Sequence, residues 1–267
     1  MSPDRVGALV LRQFYLLRGS PARLLPLFAW VAIDIVLWGF ITRYLNTVAA
    51  PGFNFVPRLL GAVLLWDFLT RVMHGVSTAF FEDVWSRNFL NFFATPLSVG
   101  EYIGGLVVAS IATSAIGLVV MLILAAVAFG LSYAVYGAML LPFLLVLFLF
   151  GIALGVFGAA LVLRLGPAAE WLIWPVPAMV SPFAGVFYPL ATMPRWMQAV
   201  ARGVPASYVF EGMRAIVSGG SVSGAALAAG SALAAVYVLL AGWFFLRVYR
   251  RAVRTGLIAR YSAESLS

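Results

Sequence analysis

The chain has no lysine, no cysteine and a single histidine, and all 17 of its basic residues are arginine. The missing lysine excludes a Walker A loop, which needs that side chain at the nucleotide phosphates. Any ATP-driven work therefore requires a second polypeptide. The missing cysteine excludes disulfides, thiolate nucleophiles and Cys-zinc sites. With His74 alone, a multi-histidine metal centre is also excluded, and no metal site is expected. Charge itself is scarce: 10% of the 267 residues are charged, against about 25% in a soluble domain. The hydrophobic share is 64% and the mean hydropathy is +1.04. Polar sequence is too sparse to cover a water-facing globule, so the composition reads as an all-α, polytopic membrane protein.

Six apolar segments predict six transmembrane helices, at about 24–45, 58–80, 103–129, 139–163, 171–190 and 223–246. Each is near the roughly 20 residues that a crossing helix needs. The fifth is interrupted by Pro175, Pro177, Pro182 and Pro189. With both termini in the cytoplasm, eleven arginines fall inside and five outside, and Arg71 lies within the membrane. That excess favours cytoplasmic N- and C-termini. The formal charge of +8 comes from arginines gathered at the two ends beside apolar spans, which argues for topology and against a nucleic-acid partner. The first apolar run is long and starts late, so a cleaved signal peptide is not expected.

Residues 1–23 read as a separate unit before the transmembrane domain of 24–267. Val6, Val10, Phe14 and Leu17 fall on one helical stripe, with Arg5 and Arg12 off it. This spacing predicts a helix lying in the membrane interface. Residues 191–222 are too polar to cross. They predict two short amphipathic pieces at the outer face, separated by Gly203 and Pro205, where Trp196 and Tyr208 suit the interface.

Asp67, Arg71 and His74 lie in the second segment at i, i+4 and i+7, on one helix face. A charge at the centre of a transmembrane helix costs about 3 kcal/mol on insertion scales. Two readings fit: a proton relay or polar patch on a substrate path, and an intramembrane ion pair reaching Asp34 of the first segment. Hydrolytic chemistry finds no support, because no GxSxG elbow is present. Adjacent Glu82 and Asp83 point about 100° apart on a helix. No catalytic residue is assigned. Gly151 and Gly155 stand in GxxxG spacing, which suits close helix packing within the chain or between subunits.

Residues 82–98, EDVWSRNFLNFFATPLS, put charged side chains and then phenylalanines between two spans. The pattern formed by Glu82, Arg87, Thr95-Pro96-Leu97-Ser98 and Glu101 resembles the cytoplasmic loop of ABC-2-type exporter permeases. A later stretch resembles that family's second signature at Pro189, Met193-Pro194, Trp196, Pro205, Tyr208, Glu211 and Arg214. The resemblance covers nearly the whole chain. It implies a transmembrane subunit that is not an enzyme by itself, paired as a homodimer with two copies of an ABC ATPase subunit. That subunit would bind ATP and magnesium, and this chain no cofactor. Glu82, Arg87, Pro96 and Glu101 would belong to a cytoplasmic coupling helix seated on the ATPase. Pro194, Trp196, Pro205, Tyr208, Glu211 and Arg214 would belong to short external re-entrant helices. The expected function is export of an amphipathic or lipid-like substrate across a bacterial plasma (inner) membrane, with membrane lipid as surroundings. From their spacing and depth, and not from the resemblance, Asp34, Asp67, Arg71 and His74 are the candidate polar lining. The alternative is a stand-alone secondary transporter or channel built on Asp67, Arg71 and His74. A lipid-acting membrane enzyme would need a nucleophile or metal site that the sequence does not offer.

Overall fold

The computed structural model describes residues 2–49, 54–86 and 95–256. It is all-helical, 85% helix with no strand among the described residues. Helix α1 spans Pro3–Arg18 and α2 spans Pro21–Val48, each opened by a proline whose missing N–H costs nothing in a first turn. A π-helical turn at Val56–Leu60 leads into α3, Gly61–Trp85. Helix α4 is Val99–Phe129 and ends on the left-handed Gly130. Helix α5 is Leu140–Leu165, entered through a 3₁₀ segment at Tyr133–Met139.

Among the described residues, four helical stretches are long and apolar enough to cross a membrane: Val56–Trp85, Val99–Phe129, Tyr133–Leu165 and Gly224–Arg254. The last contains α10, defined below. Helix α2, with 28 residues, occupies the first expected segment and is about 42 Å long at helical rise. The fifth expected segment, 171–190, is not one helix. It holds α6 at Glu170–Ile173, α7 at Val176–Ala184 and, after a turn, a 3₁₀ piece at Leu190–Thr192. Proline supplies no N–H and clashes with the preceding turn, so repeated prolines divide the run. Gly185, at φ +64°, takes the left-handed conformation that ends α7. Helix α8, Arg195–Ala201, and α9, Pro205–Val217, follow as the two short pieces expected there, and α10 is Gly224–Arg254.

Helix α3 is the centre of the core. Leu60, Leu69, Val72, Met73, Val76 and Phe80 are all fully buried. Its partner α5 approaches through Gly151 and Gly155, the GxxxG pair, so that pair packs within the chain. A Cβ on Gly151 would lie 2.9 Å from the Leu69 carbonyl oxygen, and one on Gly155 would lie 2.7 Å from that of Met73. The Ser77 hydroxyl donates to the Gly155 carbonyl at 3.2 Å across the same seam. Helix α5 also packs extensively along α10. Helices α2 and α1 lie against α4, where Gly39 makes room for Phe129 and Gly105 for Leu9.

Gly155→Val is expected to destabilise the purified protein by about 1–3 kcal/mol, since a branched side chain must push backbone aside. Gly242→Ala on α10, where nothing lies within 4 Å, is expected to be neutral or slightly stabilising. Thermal unfolding in detergent compares the two, and equal midpoints would mean that the α3–α5 seam is not close-packed.

Candidate functional site

One face of α3 is not sealed. Asp67, Arg71, His74, Thr78 and Glu82 recur along it at near-helical spacing and line a cavity of about 560 Å³. From Asp67 to Glu82 this stripe runs about 22 Å along the helix. The opposite walls come from four other segments: Gln13 on α1, Trp30 and Asp34 on α2, Ser110 and Thr113 on α4, and Trp174 just beyond α6. The four residues expected as intramembrane polar lining, Asp34, Asp67, Arg71 and His74, thus meet in one space.

Arg71 Nε donates to Asp67 Oδ2 at 3.1 Å, the i,i+4 pair expected from spacing. The Arg71 stem crosses Gly117 of α4, where a Cβ would come within 3.2 Å of its Cδ. A larger residue at 117 would displace the guanidinium from its pair. The His74 ring lies 4.5 Å from the Trp174 ring, centroid to centroid. Two buried polar atoms of cavity-lining residues, His74 Nε2 and Gln13 Nε2, have no hydrogen-bond partner among the described residues. Buried polar groups are normally satisfied, so these two are free to meet a ligand or water. The cavity therefore combines the Arg71–Asp67 pair, the further carboxylates of Asp34 and Glu82, free polar contacts and indole surface. Such a lining suits an amphipathic molecule with a polar end and an apolar body.

At the Glu82 end of the cavity α1 is fastened to the bundle. Arg12 Nη2 lies 2.7 Å from Asp83 Oδ1, and the Tyr102 hydroxyl donates to Asp83 Oδ2 at 2.8 Å. Asp83 and Tyr102 are both fully buried. Glu82 and Asp83 do diverge as their adjacency requires: Glu82 lines the cavity while Asp83 turns inward. Ser98 and Glu101 form a capping box at the start of α4, in which the Ser98 amide donates to Glu101 Oε2 at 2.9 Å. The same carboxylate accepts the Ser2 amide at 2.7 Å and Arg5 Nη1 at 3.3 Å, and Arg5 also donates to the Pro96 carbonyl. Helix α1 is thereby tied to both sides of the segment between α3 and α4. Arg5 and Arg12 point to acids of the protein, while Leu11, Phe14 and Tyr15 stay exposed. Arg87 and the phenylalanines at 89, 92 and 93 lie outside the described residues.

The second signature assembles around α9. Glu211 Oε1 accepts from the Leu190 amide at 2.9 Å and from Arg214 Nη2 at 2.7 Å, and Arg214 Nη1 donates to the Gly185 carbonyl at 2.7 Å. These two side chains hold the turn between α7 and the 3₁₀ piece. Pro194 and Pro205 stand at the starts of α8 and α9. Tyr208 donates to the Arg202 carbonyl at 2.9 Å and packs over Gly230 of α10. Trp196 is exposed beside Phe183, with ring centroids 6.3 Å apart.

Sequence reasoning did not single out Arg12 as a partner for Asp83, nor Tyr102, Gln13 or Trp174. The readable signal was a basic residue on α1 together with a charged pair closing a span. Nothing local in the sequence shows that α1 folds back on α4.

Four helical stretches among the described residues are long and apolar enough to cross a bilayer, and a charged cleft lies among the helices. A family model described as ABC-2 type transporter matches residues 5–217, and the chain belongs to that family. It is an integral membrane protein and a membrane permease of an ABC transporter, a family that implies an ABC ATPase partner. A search of curated proteins finds no match.

Arg12→Ala removes the counter-charge from a carboxylate without exposed surface and is expected to cost about 3 kcal/mol in thermal unfolding. The double variant Arg12→Ala/Asp83→Asn should recover part of that loss. A double variant as unstable as the single one would show that Asp83 does not depend on Arg12.

Proposed function

We propose that the chain is the permease of an ATP-driven exporter of an amphipathic or lipid-like substrate, taken from the cytoplasm or inner leaflet of a bacterial inner membrane. The observation that supports this best is the 560 Å³ cavity, one wall of which, α1, is bonded to both sides of the segment that would meet the ATPase. In this reading six spans cross the membrane with both termini in the cytoplasm. Two permeases pair as a homodimer with two copies of the ATPase, which bind ATP and magnesium. Glu82, Arg87, Pro96 and Glu101 belong to the coupling segment that rests on the ATPase. Pro194, Trp196, Pro205, Tyr208, Glu211 and Arg214 shape the outer re-entrant segment, and Asp34, Asp67, Arg71 and His74 line the substrate path. Closure of the ATPase on ATP would draw the coupling segments together, and rigid-body movement of the spans would change access to the cleft.

A stand-alone transporter is the competing reading, favoured by the partnerless His74 Nε2 in the cavity. Reconstitution with and without the ATPase separates the two. The purified chain is expected to hydrolyse no ATP, and transport is expected to require the partner. Arg87→Glu should abolish ATP-driven transport in protein that still inserts into the membrane. Asp67→Asn should reduce transport while leaving basal ATP hydrolysis of the complex intact. Transport driven by a pH gradient with no ATPase present, and lost in Asp67→Asn, would replace the exporter reading with the stand-alone one.

A further inference from the structure

A second cavity, of about 510 Å³, lies away from the polar cleft, between the last turn of α5 and the last turns of α10. Its rim carries three guanidinium groups. Arg164 comes from α5, and Arg247 and Arg251 come from α10, one turn apart on a single face. Thr255 continues that face. Its floor is apolar: Phe244, Val248 and Ala252 recur at i, i+4 and i+8 beside the arginine stripe, with Leu163 across from them. Among the described residues none of the three arginines has a carboxylate within ion-pair distance, and Arg247 instead stands 5.4 Å from the Trp243 ring. All three are exposed.

Arginines at the C-terminal ends of spans have two ordinary explanations, topology and the helix dipole. Neither requires arginines of two helices to converge on one notch, nor an apolar floor beneath them. Guanidinium groups grip phosphate oxygens through paired N–H donors. Basic pockets between helix ends at a membrane surface suit anionic headgroups.

We infer that this notch binds a phosphate-bearing anionic lipid headgroup. Arg164, Arg247 and Arg251 meet the phosphate, and the upper part of the lipid body rests on Phe244, Val248 and Ala252. The inference needs only that the chain spans a membrane, and it stands apart from the substrate and from the ATPase.

The test is native mass spectrometry of the full-length chain in detergent, incubated with equal amounts of dioleoyl phosphatidylglycerol and dioleoyl phosphatidylcholine. The wild type is expected to retain the anionic lipid about tenfold over the neutral one, given three arginines at the site. The triple variant R164Q/R247Q/R251Q should bring the ratio close to one, while R250Q, outside the notch, should leave it unchanged. Should the triple variant lose its helical signal, R247Q and R251Q singly take its place, each expected to lower the ratio about twofold, its share of a preference set by three arginines. Thermal unfolding in neutral lipid with inorganic phosphate alone is the second arm. Stabilisation by phosphate without any lipid preference would overturn the lipid in favour of a soluble anion. Equal retention of both lipids by the wild type, or full preference in the triple variant, would leave the arginines as topology signals only. Lost ATPase co-purification in the triple variant with lipid retention unchanged would make the notch a protein contact.

Discussion

Asp83 is a carboxylate with no exposed surface, at the end of a helix whose buried side is apolar apart from Ser77. A charge in such a place demands a counter-charge and hydrogen bonds, or the fold will not close around it. Arg12 and Tyr102 meet that demand from two different helices. Much of the molecule follows from this. Helix α1 cannot lie at any convenient angle on the surface, because Arg12 must reach inward. Once it does, the next residue, Gln13, faces the polar cleft and becomes part of its wall. The Glu101 cap repeats the arrangement a few residues away: one carboxylate ends a loop, starts a helix and holds the beginning of α1.

The result is a division of labour that fits membership of the ABC-2 type transporter family. The chain has no lysine with which to hold a nucleotide. What it has is a cleft walled by separate helices, and a fastened helix linking that cleft to the segment between α3 and α4. At the other end, Glu211 and Arg214 stabilise a turn that a run of prolines would otherwise leave without backbone partners. The cleft lies between two braced ends, and its shape depends on relations among helices more than on any single one.

Much of this was legible in the sequence. Hydropathy located the four helical stretches long and apolar enough to cross a membrane and marked residues 191–222 as two short pieces. Helical spacing predicted the Asp67–Arg71 pair, because i,i+4 neighbours are fixed by local geometry. The serine and glutamate of TPLS-x₂-E match a capping box for the same reason. Contacts made across the chain were not legible. Arg12 and Asp83 are 71 positions apart, and only the fold-back of α1 onto α4 brings them together. Trp174 meets His74 because prolines break the fifth segment, and the sequence shows where a helix stops but not where the next piece turns. The stripe of Val6, Val10 and Phe14 was readable as amphipathic. Which side the arginines would take was not, because that depends on acids in distant helices.

The seam between α3 and α5 is made of absence. Gly151 and Gly155 place bare backbone against the backbone of α3. Most packed interfaces can be weakened by trimming a side chain, and so they reveal themselves when residues are replaced by alanine. At these two glycines there is nothing to trim, and even alanine adds an atom where backbone already stands. For such positions the informative experiment is addition, and a scan that reads importance from truncation passes over them.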